Sequence, residues 1–491
     1  MSPEPKFADI YFGDLSAETE VRRNPRLLDE GFFDHGGVLA KIMSDPAFLI
    51  LGYKGSGKSA IAHHLALRAQ RSSELFVTLV QLSDFPYDVL PAVVPGNEAL
   101  AARTNVAWSL LLNLKLFESL THDESAHHYN PDVPRLESEL KKLRLLGTSD
   151  LGQLVLASRE TNLALTLPKV FNFSRKQTQN QPVLVLSHVR DALRKIVIDA
   201  ETECVHLLIV DGLDATFQMF EDHFTVLASL IHEANKENER LDRANSVRKI
   251  VLLCRTDMFE RLPSPNTNKL RDFAIDLDWY QGERISDSPL IALATHRARL
   301  AGYEGSNVVN DYLPSAITVP GRQVRMASYL LERTRRTPRD FLQLLRYVQV
   351  KASGAADVPE GEVVRGAREY STGYFVPELK DELAGYLEPE EVGDLVRLIG
   401  GLRLGEFTYQ QLQGHAIESS HFTDAQLREA LRVLFECSAL GNVDRLERDG
   451  HPDRVQSWRY RNRNAGIDFD KPFVVHRGAW HALNLLAHSV S

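Results

Sequence analysis

Residues 52–59 read GYKGSGKS, an unbroken G-x-x-x-x-G-K-[ST] run. Gly52, Gly55 and Gly57 allow the backbone to curl until successive N–H groups converge on an anion. In a loop of this pattern Lys58 reaches the β and γ phosphates of a bound nucleotide, and the Ser59 hydroxyl is placed to ligate Mg²⁺. Tyr53, Lys54, Ser56 and Ala60 complete the candidate nucleotide-binding set. The flanks fit the motif. PAFLILG before it reads as a short apolar strand, and SAIAHHLALRAQ after it as an amphipathic helix whose first turn favours an anion. A strand, a glycine loop and a helix in that order call for a parallel sheet with crossover helices.

The rest of the first half supplies such a sheet. ELFVTLVQLSD (74–84) is rich in β-branched residues, and VHLLIV, KIVLLC and FAIDLDW (273–279) are short apolar runs alternating with helical stretches. The expected fold class is therefore α/β, a P-loop NTPase parallel sheet, followed by an all-α lid and a helix-turn-helix module with a wing. The expected domains are an ATPase core over 1–285 with a helical insertion at about 98–190, a helical lid over 286–375, and a winged-helix-like domain over 376–491. Within the insertion, residues 119–182 are polar and suggest no function. At 491 residues the chain exceeds a single core.

Further chemistry lies at the ends of the apolar runs. LLIVDGLD (207–214) places Asp211 at the carboxyl edge of the sheet beside the phosphate loop, a hard oxygen ligand suited to Mg²⁺. Asp214 follows where a carboxylate can orient the attacking water; capping the next helix is the plainer alternative. In LLCRTDMF (252–259), Arg255 can sense the γ-phosphate or pair with Asp211 or Asp257. In RTRRTPRDFLQLL (333–345), Thr337 suits an N-cap and Pro338 a first turn, which puts Arg339 at the start of a helix. Lys269 and Arg271 can serve as a trans finger in a homo-oligomer; a solvated loop charge is the plainer reading for both.

GYKGSGKSA, IVDGLD, LLCRTD and TPRDFL, in that order, resemble the STAND and AAA+-related P-loop ATPases. The resemblance is nearest to a prokaryotic family with an N-terminal FGD-x-x-AE-x-E segment, here Phe12-Gly13-Asp14, Ala17-Glu18 and Glu20. It covers roughly residues 8–350. It implies ATP hydrolysis with Lys58 and Ser59 on phosphate and Mg²⁺ and Asp211 as the metal-side carboxylate. Arg255 would stand at the sensor-1 position and Arg339 at sensor 2. It also implies a setting in prokaryotic regulation or anti-phage defence. One departure stands out: where such families carry a second acidic residue after the final Asp, this chain has Ala215. Slow, switch-like turnover is the expectation, with a non-hydrolysing nucleotide-dependent scaffold as the alternative. A P-loop kinase is disfavoured, because the sensor set and an appended winged helix have no role in it. ATP is preferred to GTP because no N/TKxD guanine-reading motif appears.

In the last domain, GEFTYQQLQGHAI and HFTDAQLREALRVLFECSAL read as two helices, the second capped by Thr423 or Asp424. GNVDRLERDG and VQSWRYRNRN read as a hairpin wing. The wing carries Arg445, Arg448, Arg454, Arg459, Arg461 and Arg463 with Trp458 and Tyr460 interleaved, a pattern able to touch DNA phosphates and sugars. Asp444, Glu447, Asp449 and Asp453 dilute it, and such domains also serve protein contacts. A net charge of −9 gives no global attraction to nucleic acid. The three cysteines, Cys204, Cys254 and Cys437, form neither a metal-ligand spacing nor a disulfide framework. With no signal pattern and no apolar run of membrane-spanning length, the chain is expected in the cytoplasm, without a membrane partner.

Overall fold

In the computed structural model the described residues are 5–83, 85–94, 98–147, 151–160, 170, 182–213, 221–262, 267–280, 285–319, 322–352, 354, 357–384, 387–419, 422–448 and 451–486. They divide into two compact units, Gly36–Leu277 and Met1–His35 with Asp278–Ser491. The N-terminal lead-in, grouped from sequence with the ATPase core, thus packs in the unit that holds the C-terminal half. The reason is apolar. Phe7, Ile10 and Phe12 are fully buried in that unit's core, with the Phe7 ring 5.8 Å from Tyr312.

The Gly36–Leu277 unit is built on five parallel strands, β1 (Leu49–Gly52), β2 (Leu75–Gln81), β3 (Val205–Asp211), β4 (Arg248–Arg255) and β5 (Ala274–Asp276), in the order β2-β3-β4-β1-β5. Nearly all of β1, β3 and β4 is buried, which is why they read as unbroken apolar runs. The Lys58–Ala69 helix packs on β1 and β2. The expected insertion belongs to this core. Helix Leu100–Thr121 is buried along most of its length and packs on helices Pro182–Asp199 and Glu221–Arg243. Trp108 stacks on Phe85 at 4.9 Å and donates to the Val226 carbonyl at 3.0 Å. Arg194 joins the layers, its guanidinium donating to both Glu237 carboxylate oxygens at 2.8 and 2.6 Å.

At the amino end of β3, His206 is fully buried between Ser119 Oγ (2.8 Å from Nδ1) and Asp123 Oδ2 (3.1 Å from Nε2), with Phe76 stacked on its ring at 4.9 Å. Burial outweighs the Asp123 bond and pushes the imidazole down to about 4. The unfolded chain, with an ordinary value of about 6.5, takes up that proton first. Stability from this group is therefore complete above about pH 6.5 and is lost as pH falls towards 4. His206→Gln should flatten the fall in Tm between pH 6.5 and 4 without abolishing it, since buried His476 is depressed too. Thermal scans across that range check this; an unchanged slope would exclude His206 as a contributor.

In the second unit, helix Ala17–Arg23 is capped by Ser16 Oγ, which accepts from Thr19 N. Helices Pro289–Arg299 and Pro338–Lys351 supply much of its core, the latter with Thr337 as cap and Pro338 in its first turn, as expected. The span expected to be wholly helical also holds an antiparallel hairpin, β6 (Ala316–Val319) with β7 (Arg322–Arg325). The C-terminal part runs helix Val376–Leu383, helix Pro389–Leu402, β8 (Glu406–Phe407), helix Tyr409–Ser419, helix Asp424–Glu436, then β9 (Leu440–Arg448), β10 (His451–Ser457) and β11 (Phe473–Val475). The sheet order is β10-β9-β11-β8, so the hairpin does not stand alone: β11 pairs with β9 and with β8. No described helix is long and apolar enough to cross a membrane.

Candidate nucleotide-binding site

The loop after β1 has the geometry a phosphate cradle requires. Gly55 and Gly57 adopt φ of +82° and +100°, a region costly to residues with a Cβ. Gly57 is the N-cap of the Lys58–Ala69 helix, and a Cβ there would point into open space. That space lies at a helix N-terminus, where the backbone field favours an anion. The Lys58 side chain is only 7% exposed as a residue. Its ammonium donates to the Gly52 carbonyl at 2.9 Å and the Tyr53 carbonyl at 3.3 Å, which folds the charge back over the loop. Ser59, on the first turn, is half-buried.

The strand beside β1 is β4, not β3. Leu49 is level with Leu252 of β4, and Leu252 with Val210 of β3, so Asp211 lies one strand further from the loop than its expected place beside it. Asp211 ends β3 almost fully buried, and its Oδ1 accepts from Gly212 N at 2.7 Å. Gly52 is level with Arg255, so the end of β4 flanks the loop directly. Arg255 pairs with Asp257 through two bonds, Nε–Oδ1 at 3.0 Å and Nη2–Oδ2 at 2.8 Å. Burial would raise the Asp257 carboxyl, but Arg255, with the Lys58 charge adding to it, holds it below the ordinary carboxylate range. Of the two roles open to Arg255, pairing with Asp257 is the one formed here. Asp214 and Ala215 lie outside the described residues.

The donors present fit a Mg²⁺–nucleotide. Among the described residues no cluster of three or more His, Cys, Asp or Glu side chains forms a protein-only metal cage. A magnesium ion bound here would rely on Ser59, Asp211, water and phosphate oxygens, which is how this cation is usually held.

The remaining candidates are scattered. Arg339 is half-buried in the first turn of Pro338–Lys351, within the 278–491 unit. Lys269 is exposed, and Arg271 pairs with Glu260 at 2.9 Å. On the expected wing, Trp458 is buried in a small cluster with Val443 and Val474, so its ring is not offered to a ligand. Arg459 donates to the Ala465 carbonyl at 3.1 Å and pairs with Glu436 at 2.9 Å. Arg445 and Arg454 remain outward, their side chains 61% and 46% exposed, and both lean on Glu406.

One use of the sequence emerges only in three dimensions. The FGD-x-x-AE-x-E residues form a clasp. Arg297 donates to both Glu20 carboxylate oxygens at 2.8 and 3.0 Å and to the Phe12 carbonyl at 2.6 Å. Glu20 Oε1 also accepts from Asp14 N at 3.1 Å. Gly13 sits at φ +127°, and a Cβ there would strike Arg297 Nη1 at 2.2 Å. No signal in the N-terminal segment points to an arginine some 280 residues away.

No family model and no curated protein matches the chain. Among solved structures, a Cdc6p from Pyrobaculum aerophilum overlaps 91% of this chain and 93% of its own at 12% identity and a TM-score of 0.32. A Walker-type ATPase of Pyrococcus abyssi overlaps 98% of each chain at 12% identity and a TM-score of 0.38. The fold of this unit is defined by its strand order and by the loop between β1 and its helix. Residues 36–277 form an α/β P-loop NTPase fold.

Proposed function

We propose that the chain binds and slowly hydrolyses ATP with Mg²⁺, acting as a molecular switch of the STAND/AAA+-related kind. The observation that carries this reading is the loop: two left-handed glycines, a helix N-terminus and a folded-back Lys58 ammonium around open space. On ATP binding, Lys58 would exchange its carbonyl partners for phosphate oxygens, Ser59 and Asp211 would serve the magnesium, and Asp214 would orient water. Arg255 and Arg339 are proposed as nucleotide-sensing residues, the first by opening its pair with Asp257. ATP turnover of wild type beside Asp214→Ala tests the reading. Slow phosphate release in wild type and at least about a hundredfold less in the variant is expected, the scale on which loss of a catalytic group acts. Absence of release in wild type would favour the non-hydrolysing scaffold instead.

The C-terminal helices and hairpin are proposed to work as a winged-helix-like module that reads out the nucleotide state by binding a partner. Between DNA and protein, the charge favours protein. Carboxylates outnumber lysines and arginines 18 to 13 over residues 376–491. On helix Asp424–Glu436, Arg428 and Arg432 are already paired with Asp424 and Glu429 at 2.8 and 3.1 Å. The resemblance to prokaryotic regulators and anti-phage ATPases suggests the setting in which such a partner would be found.

A further inference from the structure

Three segments of the 278–491 unit bring two arginines to one tyrosine. Tyr280 follows β5 closely, Arg336 immediately precedes the Thr337 cap of helix Pro338–Lys351, and Arg461 lies just beyond β10. The Arg336 guanidinium carbon is 5.6 Å from the Tyr280 ring centroid, and that of Arg461 is 5.8 Å from the same centroid. Tyr460 stands edge-on to Tyr280, centroids 6.1 Å apart at 85°, and its hydroxyl accepts from Arg461 Nε at 3.0 Å. Two like charges therefore share one aromatic platform.

Among the described residues neither charge is paired with a carboxylate. Among the described residues Arg336 makes no side-chain hydrogen bond or ion pair, and its Nε is buried without a partner. Among the described residues the Arg461 side chain hydrogen-bonds only to that phenol oxygen. Two described carboxylates close in sequence to Arg336 are committed elsewhere, Glu332 to Arg477 and Asp340 to Arg335. Burial above all, with repulsion from Arg461 adding to it, lowers the Arg336 guanidinium from its ordinary value. Arg336 is also held at φ +57°, a conformation disfavoured for any residue with a Cβ. A desolvated cation, a like-charged neighbour and a strained backbone are each unfavourable alone. An oxyanion bridging the two planar guanidiniums would offset the first two.

We infer that Arg336 and Arg461, which meet at the Tyr280 ring, form a binding site for a phosphate group, made of residues other than those of the phosphate loop. A free phosphate compound and a nucleic-acid backbone share this chemistry. The experiment uses the full-length chain carrying Lys58→Ala, so that the loop does not compete and the outcome is independent of the ATPase reading. Calorimetric titration with inorganic pyrophosphate and anisotropy with a short single-stranded DNA are compared for this parent and for added Arg336→Gly and Arg461→Gln. At least one probe should bind the parent, and each substitution should weaken it about tenfold or more. Arg336→Gly should also keep or raise Tm, since glycine accepts the left-handed conformation, which separates lost binding from lost folding. Pyrophosphate binding identifies a free phosphate compound. Binding of DNA alone, with a salt slope reduced by about one for each arginine removed, identifies a nucleic-acid backbone. If neither probe binds the parent, or both variants bind as the parent does, the inference is overturned.

Discussion

Replacing Lys58 by alanine is expected to weaken ATP binding roughly 10- to 100-fold and to lower turnover by about a hundredfold or more. The ammonium is nearly buried and bonded to two loop carbonyls at 2.9 and 3.3 Å. It is therefore already desolvated and aimed, and little reorganisation is needed when phosphate oxygens replace those carbonyls. Charge-assisted bonds of this kind contribute on the order of 1.5–3 kcal/mol. The same substitution removes a partner from the Gly52 and Tyr53 carbonyls and the field that helps keep Asp257 ionised. A modest stability loss of about 1–2 kcal/mol should accompany it. Nucleotide titration with a fluorescent ATP analogue, phosphate release and a thermal scan on the same preparation separate the two effects. Wild-type affinity in a folded Lys58→Ala protein would remove the loop from the nucleotide site.

The nucleotide half was legible because its signals are local. A phosphate loop is a contiguous octapeptide, and a buried parallel strand is a contiguous apolar run, so β1, β3 and β4 could be placed from residues that touch in sequence. Strand order is not local. That β4 rather than β3 lies beside β1 follows from which crossover helices pack where, and no residue of VHLLIV or KIVLLC records it. Arg255 shows a related limit: the sequence offers Asp211 and Asp257 alike as its carboxylate partner, and the 2.8 Å contact shows the pair to be with Asp257.

The C-terminal half was harder for a different reason. Arginines and aromatics interleaved along a ribbon look the same in sequence whether they face solvent or a third strand. The arrival of β11 beside β9, from sixteen residues past the hairpin, turns Trp458 inward and leaves Arg459 bonding to nearby carbonyls. The hairpin at 316–325 leaves no clear sequence signal, because its strands are four residues each, too short to show alternation. The N-terminal motif was recognised, but its use as a clasp on Arg297 depends on a contact across some 280 residues.

Arg335→Ala is expected to lower the stability of the 278–491 unit by about 3–5 kcal/mol, the cost of removing one partner from a buried ion pair. Arg335 is almost fully buried. It meets Asp340 through two bonds at 2.9 and 3.1 Å, with Glu382 at 3.6 Å and Glu378 at 3.9 Å. Tyr374 also donates to Asp340, at 2.9 Å. Burial alone would raise the Asp340 carboxyl, yet Arg335 overrides it and holds the group below the ordinary range. In wild type this stability is therefore present above the unfolded value of about 3.9 and is lost only as pH falls further. In the variant the sign reverses. With Arg335 gone, burial dominates, Asp340 titrates above its unfolded value, and stability is lost as pH rises through that higher value. The Tm deficit of Arg335→Ala should thus be larger at pH 7.5 than at pH 5, on the order of 10 °C at the higher pH. Arg335→Ala with Asp340→Asn, which removes the stranded charge, should recover part of the loss. A deficit independent of pH, and no recovery in the double variant, would mean that Arg335 acts by packing against Phe375 rather than by neutralising the carboxylates around it.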